Sequence, residues 1–305
     1  MIRLPVGRFG VPQEAAVDVG VVTRSFPQLT NAETADLMAR NGFRWTELCF
    51  SQTDSKYWVY NGRSDIAGLT DDRARQIIET YRGRGVEVTA IGVFTNLLEP
   101  DERELDRNIE YFERHMEIAA ANGVPYVSTE TGFVPGHRGV QLETYESAFA
   151  RLVQSFQRLA IAAARQDVRV CLESCVLDPV PSAKRTRDFI AQVGSDRIKV
   201  LLDPANLIAN SSEEDMFRYL SPHVGYFHGK DRKVNDAKGR VVGDGDIDWP
   251  LFLELYHGHN PGVPFILEYV NADNFCEVRD RVLEADKQRA ARFAAKGGKS
   301  ARQGA

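Results

Sequence analysis

The 305-residue sequence predicts an α/β protein built as a single (β/α)8 barrel of parallel strands. Three observations lead there. Eight short, β-branched apolar runs recur along the chain. Each is followed by a longer amphipathic segment with helix start and stop signals. No Pro/Gly/Ser-rich linker interrupts the alternation. An open doubly wound sheet is the alternative, but it would ordinarily use fewer strands, and no GxGxxG follows the first run.

The candidate strands lie at 18–26, 45–50, 86–94, 124–133, 168–176, 198–207, 224–231 and 263–270. In the first helical segment, "NAETADLMARNG", Asn31 stands as the N-cap with Glu33 in the first turn. "TDDRARQIIETYRGRG" opens on a Thr-Asp-Asp cap and stops at Gly83 or Gly85. "DERELDRNIEYFERHMEIAAANG" is long, amphipathic and ends on Gly123, and "ETYESAFARLVQSFQRLAIAAARQ" is longer still. Four further segments follow the remaining strands. The barrel is assigned to residues 1–296. The tail 297–305, "GGKSARQGA", has no core-forming residues and is expected to be unstructured.

A net charge of −5 argues against nucleic acid as the main partner, because phosphate binding wants a basic face. Cys49, Cys171, Cys175 and Cys276 show no CxxC or Cys/His zinc spacing and read as small buried hydrophobes. "MIRLPVGRFG" lacks the apolar run of a signal peptide, and no segment approaches 18 apolar residues, so no membrane association and a cytoplasmic location are expected.

Functional residues of such a barrel gather at the C-terminal ends of its strands. "VRVCLESCV" carries Glu173 inside an apolar strand, where an unpaired carboxylate costs several kcal/mol. The next three strands end on Asp203 in "VLLDPANL", His228 in "YFHGKD" and Glu268 in "FILEYV". Singly, these read as a turn former, a core histidine or a loop cap. Four consecutive strands aiming two Glu, one Asp and one His at one mouth instead suggest a divalent cation: Mn²⁺, Mg²⁺ or Co²⁺, with Zn²⁺ as a further option.

This order of ligands, with the phrases "VCLESCV", "LLDPANL", "FHGKDRKV…GDGDIDW" and "FILEYV", resembles the xylose isomerase-like TIM barrel superfamily of sugar isomerases and epimerases. Ketose 3-epimerases, hydroxypyruvate isomerases and inosose dehydratases are its nearest analogues, and the resemblance covers about residues 15–295. It implies one metal ion, Mn²⁺ first, on Glu173, Asp203, His228 and Glu268, with Glu173 and Glu268 as the acid/base pair. It implies a small sugar or polyol as substrate, and assembly as a dimer or tetramer. Glu47 resembles a substrate-binding or supporting Glu of the family. The chain departs from the 3-epimerases at Asn206, where they carry His. It also departs at Lys230 and Arg232, which stand closer to His228 than the family's Arg does.

The chemistry expected is proton abstraction next to a carbonyl through a metal-stabilised enediolate, returned to the opposite face or the neighbouring carbon. Loss of a β-substituent from the same enediolate would make a dehydratase or lyase. Lys230 and Arg232 would neutralise the enediolate or hold an anionic substrate, and Asn206 would bond a substrate hydroxyl or orient a metal-bound water. Tyr57, Trp58 and Tyr60, in a polar loop, and His137 with Arg138, near Glu130, are further substrate-contact candidates. His115, His223, His257 and His259 lie away from the functional face. Two rivals remain. An apurinic endonuclease would need extra His ligands that the ends of the second and third strands do not offer, and a non-catalytic sugar-binding barrel need not keep both glutamates.

Overall fold

A computed structural model describes residues 16–134, 136–139 and 141–300. Eight parallel strands make the barrel: β1 (Val19–Val21), β2 (Trp45–Leu48), β3 (Glu87–Gly92), β4 (Tyr126–Thr129), β5 (Arg169–Glu173), β6 (Ile198–Leu202), β7 (Val224–Gly229) and β10 (Phe265–Leu267). A two-stranded antiparallel ribbon, β8 (Asp231–Arg232) with β9 (Gly239–Arg240), follows β7 and was not legible as a separate element. The ladder runs β1-β10-β7-β6-β5-β4-β3-β2.

The ring closes between β1 and β2 by other means. Thr46 Oγ1 donates to the Val21 carbonyl at 2.7 Å, and the Cys49 amide donates to Thr23 Oγ1 at 2.9 Å. Gly20 permits the contact, since a Cβ there would collide with the Trp45 carbonyl. A register shift between Thr46 and Glu47 brings Glu47 opposite Ala90, an inward-facing residue.

The outer shell holds α1 (Asn31–Arg40), α2 (Asp71–Arg82), α3 (Glu102–Ala121), α4 (Tyr145–Gln166), α5 (Ala183–Val193), the short α6 (Pro204–Leu207), α7 (Glu213–Leu220), α8 (Trp249–His259) and α9 (Phe275–Ser300). Thr30, not Asn31, is the N-cap of α1. It forms a capping box with Glu33, while the Asn31 amide bonds Asp54. Thr70, Ser182 and Ser212 cap α2, α5 and α7 in the same side-chain-to-amide way. Helix α9 runs to Ser300, into the first residues of the 297–305 tail. Residues 1–15 and 301–305 lie outside the described residues, as does the signal-peptide question at 1–10. Among the described residues no helix is long and apolar enough to cross a membrane.

The large core lies between strands and helices, and a second, small one fills the barrel axis. The axial core comprises Val22, Ala90, Cys171, Leu201, Tyr226 and Ile266. Strand side chains alternate, so the residue two places on from each also points inward, one layer nearer the mouth. Those residues are Gly92, Glu173, Asp203, His228 and Glu268, and Arg24, in the 3-10 turn Thr23–Ser25 after β1, reaches the same layer by pairing with Glu268. An apolar plug therefore floors a layer of polar groups.

Helix α3 buries His115, whose Nδ1 faces the Tyr111 carbonyl at 2.8 Å; burial pushes its pKa down to about 4. An unfolded histidine titrates near 6.5, so the unfolded chain binds the extra proton between these values. The His115 contribution is thus present above pH 6.5 and lost as pH falls towards 4, by on the order of 3 kcal/mol. Denaturant titrations at pH 7 and 4.5 should show His115→Leu losing less stability than the parent; an unchanged pH slope would contradict this.

Candidate functional site

The polar layer is closed to water. Glu47, Glu173 and His228 are fully buried, and Asp203 and Glu268 are nearly so. Ligand atoms of Glu173, Asp203, His228 and Glu268 all lie within 4.8 Å of one another. Donors on opposite sides of one ion stand about 4–5 Å apart, so the four could hold a single metal ion.

Each carboxylate has one oxygen anchored by a hydrogen bond and a second turned towards its neighbours in the cluster. Glu173 Oε1 accepts from Asn206 Nδ2 at 2.9 Å. Asp203 caps α6, its Oδ1 accepting from the Ala205 amide at 2.8 Å. Glu268 Oε1 accepts from Arg24. The other oxygens, Glu173 Oε2, Asp203 Oδ2 and Glu268 Oε2, are buried without a hydrogen bond among the described residues. Asp203 Oδ2 and Glu268 Oε2 face the Lys230 ammonium, whereas Glu173 Oε2 has no partner among the described residues, and natural proteins rarely leave such an acceptor unmatched unless an ion or water completes it. The donor set, three carboxylates and an imidazole, fits a divalent ion.

His228 is oriented from behind. Its Nε2 is 2.8 Å from Glu47 Oε2, which leaves Nδ1 facing the cluster, 3.4 Å from Glu173 Oε1 and 3.5 Å from Glu268 Oε2. Tyr226 donates to the same Glu47 oxygen at 2.6 Å. Glu47 fits because the third strand offers Gly92, where a Cβ would strike Glu47 Oε1. This is the carboxylate–histidine support found behind metal ligands. Burial raises the Glu47 pKa, but His228 and Arg24 outweigh it and hold it below the usual range. For Glu268 burial also works upward, and Arg24, Lys230 and His228 hold it well below. At Asp203 burial wins over Lys230 and pushes the carboxyl up to about 7.

Lys230, two residues beyond His228, turns back into this layer. Its Nζ is 2.7 Å from Asp203 Oδ2, 3.0 Å from Glu268 Oε2 and 3.9 Å from Glu173 Oε1. Arg232 is buried with its NH2 3.2 Å from Asn206 Oδ1; its Nε and NH1 have no partner among the described residues. Asp231, between them, accepts from the Gly243 amide at 2.9 Å and the Trp249 indole at 2.8 Å. Gly245 passes so close to Asp231 that no side chain fits there. The "GDGDIDW" stretch is therefore the wrapping that fixes Asp231, with Lys230 and Arg232 on either side.

The remaining candidates divide. Trp58 lines a cavity of about 480 Å³ at the mouth with Arg24, Ser51, Glu268 and Tyr269. Tyr57 does not line it; its ring packs against Gly68 within the same loop. Tyr60 bonds Glu130, and Arg138 stacks over Phe133. His137 is exposed and borders a second cavity of about 610 Å³ together with Asp178; none of Glu173, Asp203, His228 and Glu268 lines it. Asn206 stands beside the cluster, its Nδ2 donating to Glu173. Sequence reasoning missed Arg24, Tyr226 and Tyr269.

Solved structures share the fold over most of the chain. D-psicose 3-epimerase from Clostridium cellulolyticum H10 is 17% identical with a TM-score of 0.65, covering 92% of this chain and 99% of that one. 3-Keto-D-glucoside 4-epimerase, YcjR, from E. coli is 14% identical with a TM-score of 0.69, covering 87% and 98%. An IolI protein with a bound zinc atom is 16% identical with a TM-score of 0.68, covering 92% and 99%. At these identities the likeness is one of fold. No curated protein matches the chain. The family model described as xylose isomerase-like TIM barrel matches residues 35–295, and with the eight-stranded barrel and its buried ligand cluster already in place, the chain belongs to that family.

Proposed function

We propose that the protein is a divalent-metal-dependent isomerase or epimerase of a small ketose or keto-polyol, working by proton transfer next to a carbonyl. The observation that carries this reading is the pairing of Glu173 and Glu268 in one buried cluster, each with one oxygen held by a hydrogen bond and the other turned towards the common centre of the ligand set. Such a carboxylate can ligate with one oxygen and exchange a proton with the other. Glu173, Asp203, His228 and Glu268 would hold the ion, whose part when bound is Lewis acidity beside the substrate carbonyl.

The chain's own groups account for the rest. Arg24, Lys230 and His228 keep Glu268 ionised, which suits a proton acceptor. Glu268 takes the α-proton, the C–H electron pair moves into the C–C bond, and the carbonyl pair moves onto oxygen to give an enediolate. Lys230, whose Nζ lies between the ligand cluster and the Tyr269 ring, is placed to neutralise that charge. Glu173, which must start as the carboxylic acid, gives its proton to the opposite face for epimerisation, or to the neighbouring carbon for isomerisation, and proton exchange with solvent then returns Glu268 to the carboxylate and Glu173 to the acid. Trp58 and Tyr269 flank the mouth, where aromatic rings pack well on sugar C–H faces.

The direct experiment is incubation of the Mn²⁺-loaded protein with ketoses and inososes in D₂O, reading deuterium at the α-carbon. Glu268→Gln should keep its melting temperature and lose exchange by about 10²- to 10⁴-fold; near-parental exchange would remove Glu268 from the reaction. Glu47→Gln changes no ligand, yet it should weaken Mn²⁺ binding by about 10- to 100-fold in calorimetric titration. Parental affinity there would mean His228 needs no support from Glu47.

A further inference from the structure

The ligand cluster already faces a cation, and that cation belongs to the chain. Lys230 Nζ approaches Asp203 Oδ2 and Glu268 Oε2 at 2.7 and 3.0 Å, the same two oxygens that lack hydrogen bonds. The neighbouring cations do not share this position. Arg24 engages the other oxygen of Glu268, and Arg232 is held on Asn206. A divalent ion on the four ligands and an ammonium on two of their oxygens would stand a few ångströms apart in a dry interior. Like charges at that separation repel strongly.

A second seat for the ammonium lies next to the first. Nζ is 5.0 Å from the centre of the Tyr269 ring, within cation–π range. Tyr269 directly follows Glu268 and is 53% exposed at the mouth. Its backbone is left-handed, φ 60°, a conformation that a bulky residue adopts at a cost. The ring rests on Gly239 of β9, where no Cβ could be accommodated. A four-carbon stem lets Nζ swing from the carboxylates to this ring without backbone movement.

We propose that Lys230 is a displaceable counter-ion of the ligand set: its ammonium holds Asp203 and Glu268 together, and a divalent ion entering the same oxygens drives it outward onto Tyr269. This rests on reading the cluster as a divalent-metal site. Loading the metal then does two things at once. It fills the ligand set, and it moves a positive charge to the mouth, where negative charge develops on the substrate. The barrel also tolerates its buried carboxylates before the ion arrives.

The test uses chelated protein titrated calorimetrically with Mn²⁺ alone, without substrate, for the parent, Lys230→Met and Tyr269→Leu. Lys230→Met should bind Mn²⁺ about tenfold or more tightly, because the competing charge is gone. Its chelated form should melt below the chelated parent and recover when Mn²⁺ is added. Tyr269→Leu, which removes the second seat, should bind Mn²⁺ at least about threefold more weakly. Equal or weaker binding by Lys230→Met overturns the proposal, as does parental affinity in Tyr269→Leu. Failure of all three proteins to bind Mn²⁺ overturns the metal reading and this inference together. The expected affinities without any α-proton exchange would leave the inference standing and reject the proposed reaction.

Discussion

Four carboxylates, those of Glu47, Glu173, Asp203 and Glu268, lie buried within one layer of the barrel axis, and the neighbouring structure is arranged to make that tolerable. Each such group is costly unless paired or hydrogen-bonded. Tyr226 and His228 answer Glu47, Asn206 answers Glu173, the Ala205 amide answers Asp203, and Arg24 answers Glu268. One oxygen on each of Glu173, Asp203 and Glu268 is still without a hydrogen bond, and all three belong to the cluster that faces His228 Nδ1 and Lys230. That common shortfall defines the site better than any single residue does.

The supporting parts follow from it. The plug of Val22, Ala90, Cys171, Leu201, Tyr226 and Ile266 keeps water from reaching the layer from below. Gly92 makes room for Glu47, and the register shift in β2 turns Glu47 inward. Above the layer, the ribbon β8–β9 and the loop wrapped on Asp231 fix the backbone that carries Lys230 and Arg232. Loop residues that look like substrate machinery in isolation thus serve partly to hold charged groups in register.

Much of this was legible in the sequence. The eight strands were visible because each is buried on both faces and reads as an apolar run. Glu173, Asp203, His228 and Glu268 stood out because each interrupts such a run at its end. The rest depended on contacts between distant segments. Glu47 supports His228 across 181 positions, which no local pattern reveals. Arg24 pairs with Glu268 across 244 positions, and Tyr226 reaches Glu47 across 179. Tyr57 shared a polar loop with Trp58, but only the folded loop separates a ring at the mouth from one packed on Gly68. The seam between β1 and β2 was invisible, since it rests on two threonine hydroxyls and the absence of a side chain at Gly20.

The central claim is that this layer is a site for one divalent ion. Anomalous diffraction at the manganese edge from Mn²⁺-soaked crystals tests it most directly. The account predicts a single strong peak bonded to Glu173, Asp203 and Glu268 and to Nδ1 of His228, with Glu47 still on Nε2. A peak elsewhere, or none within bonding distance of these four side chains, would contradict it.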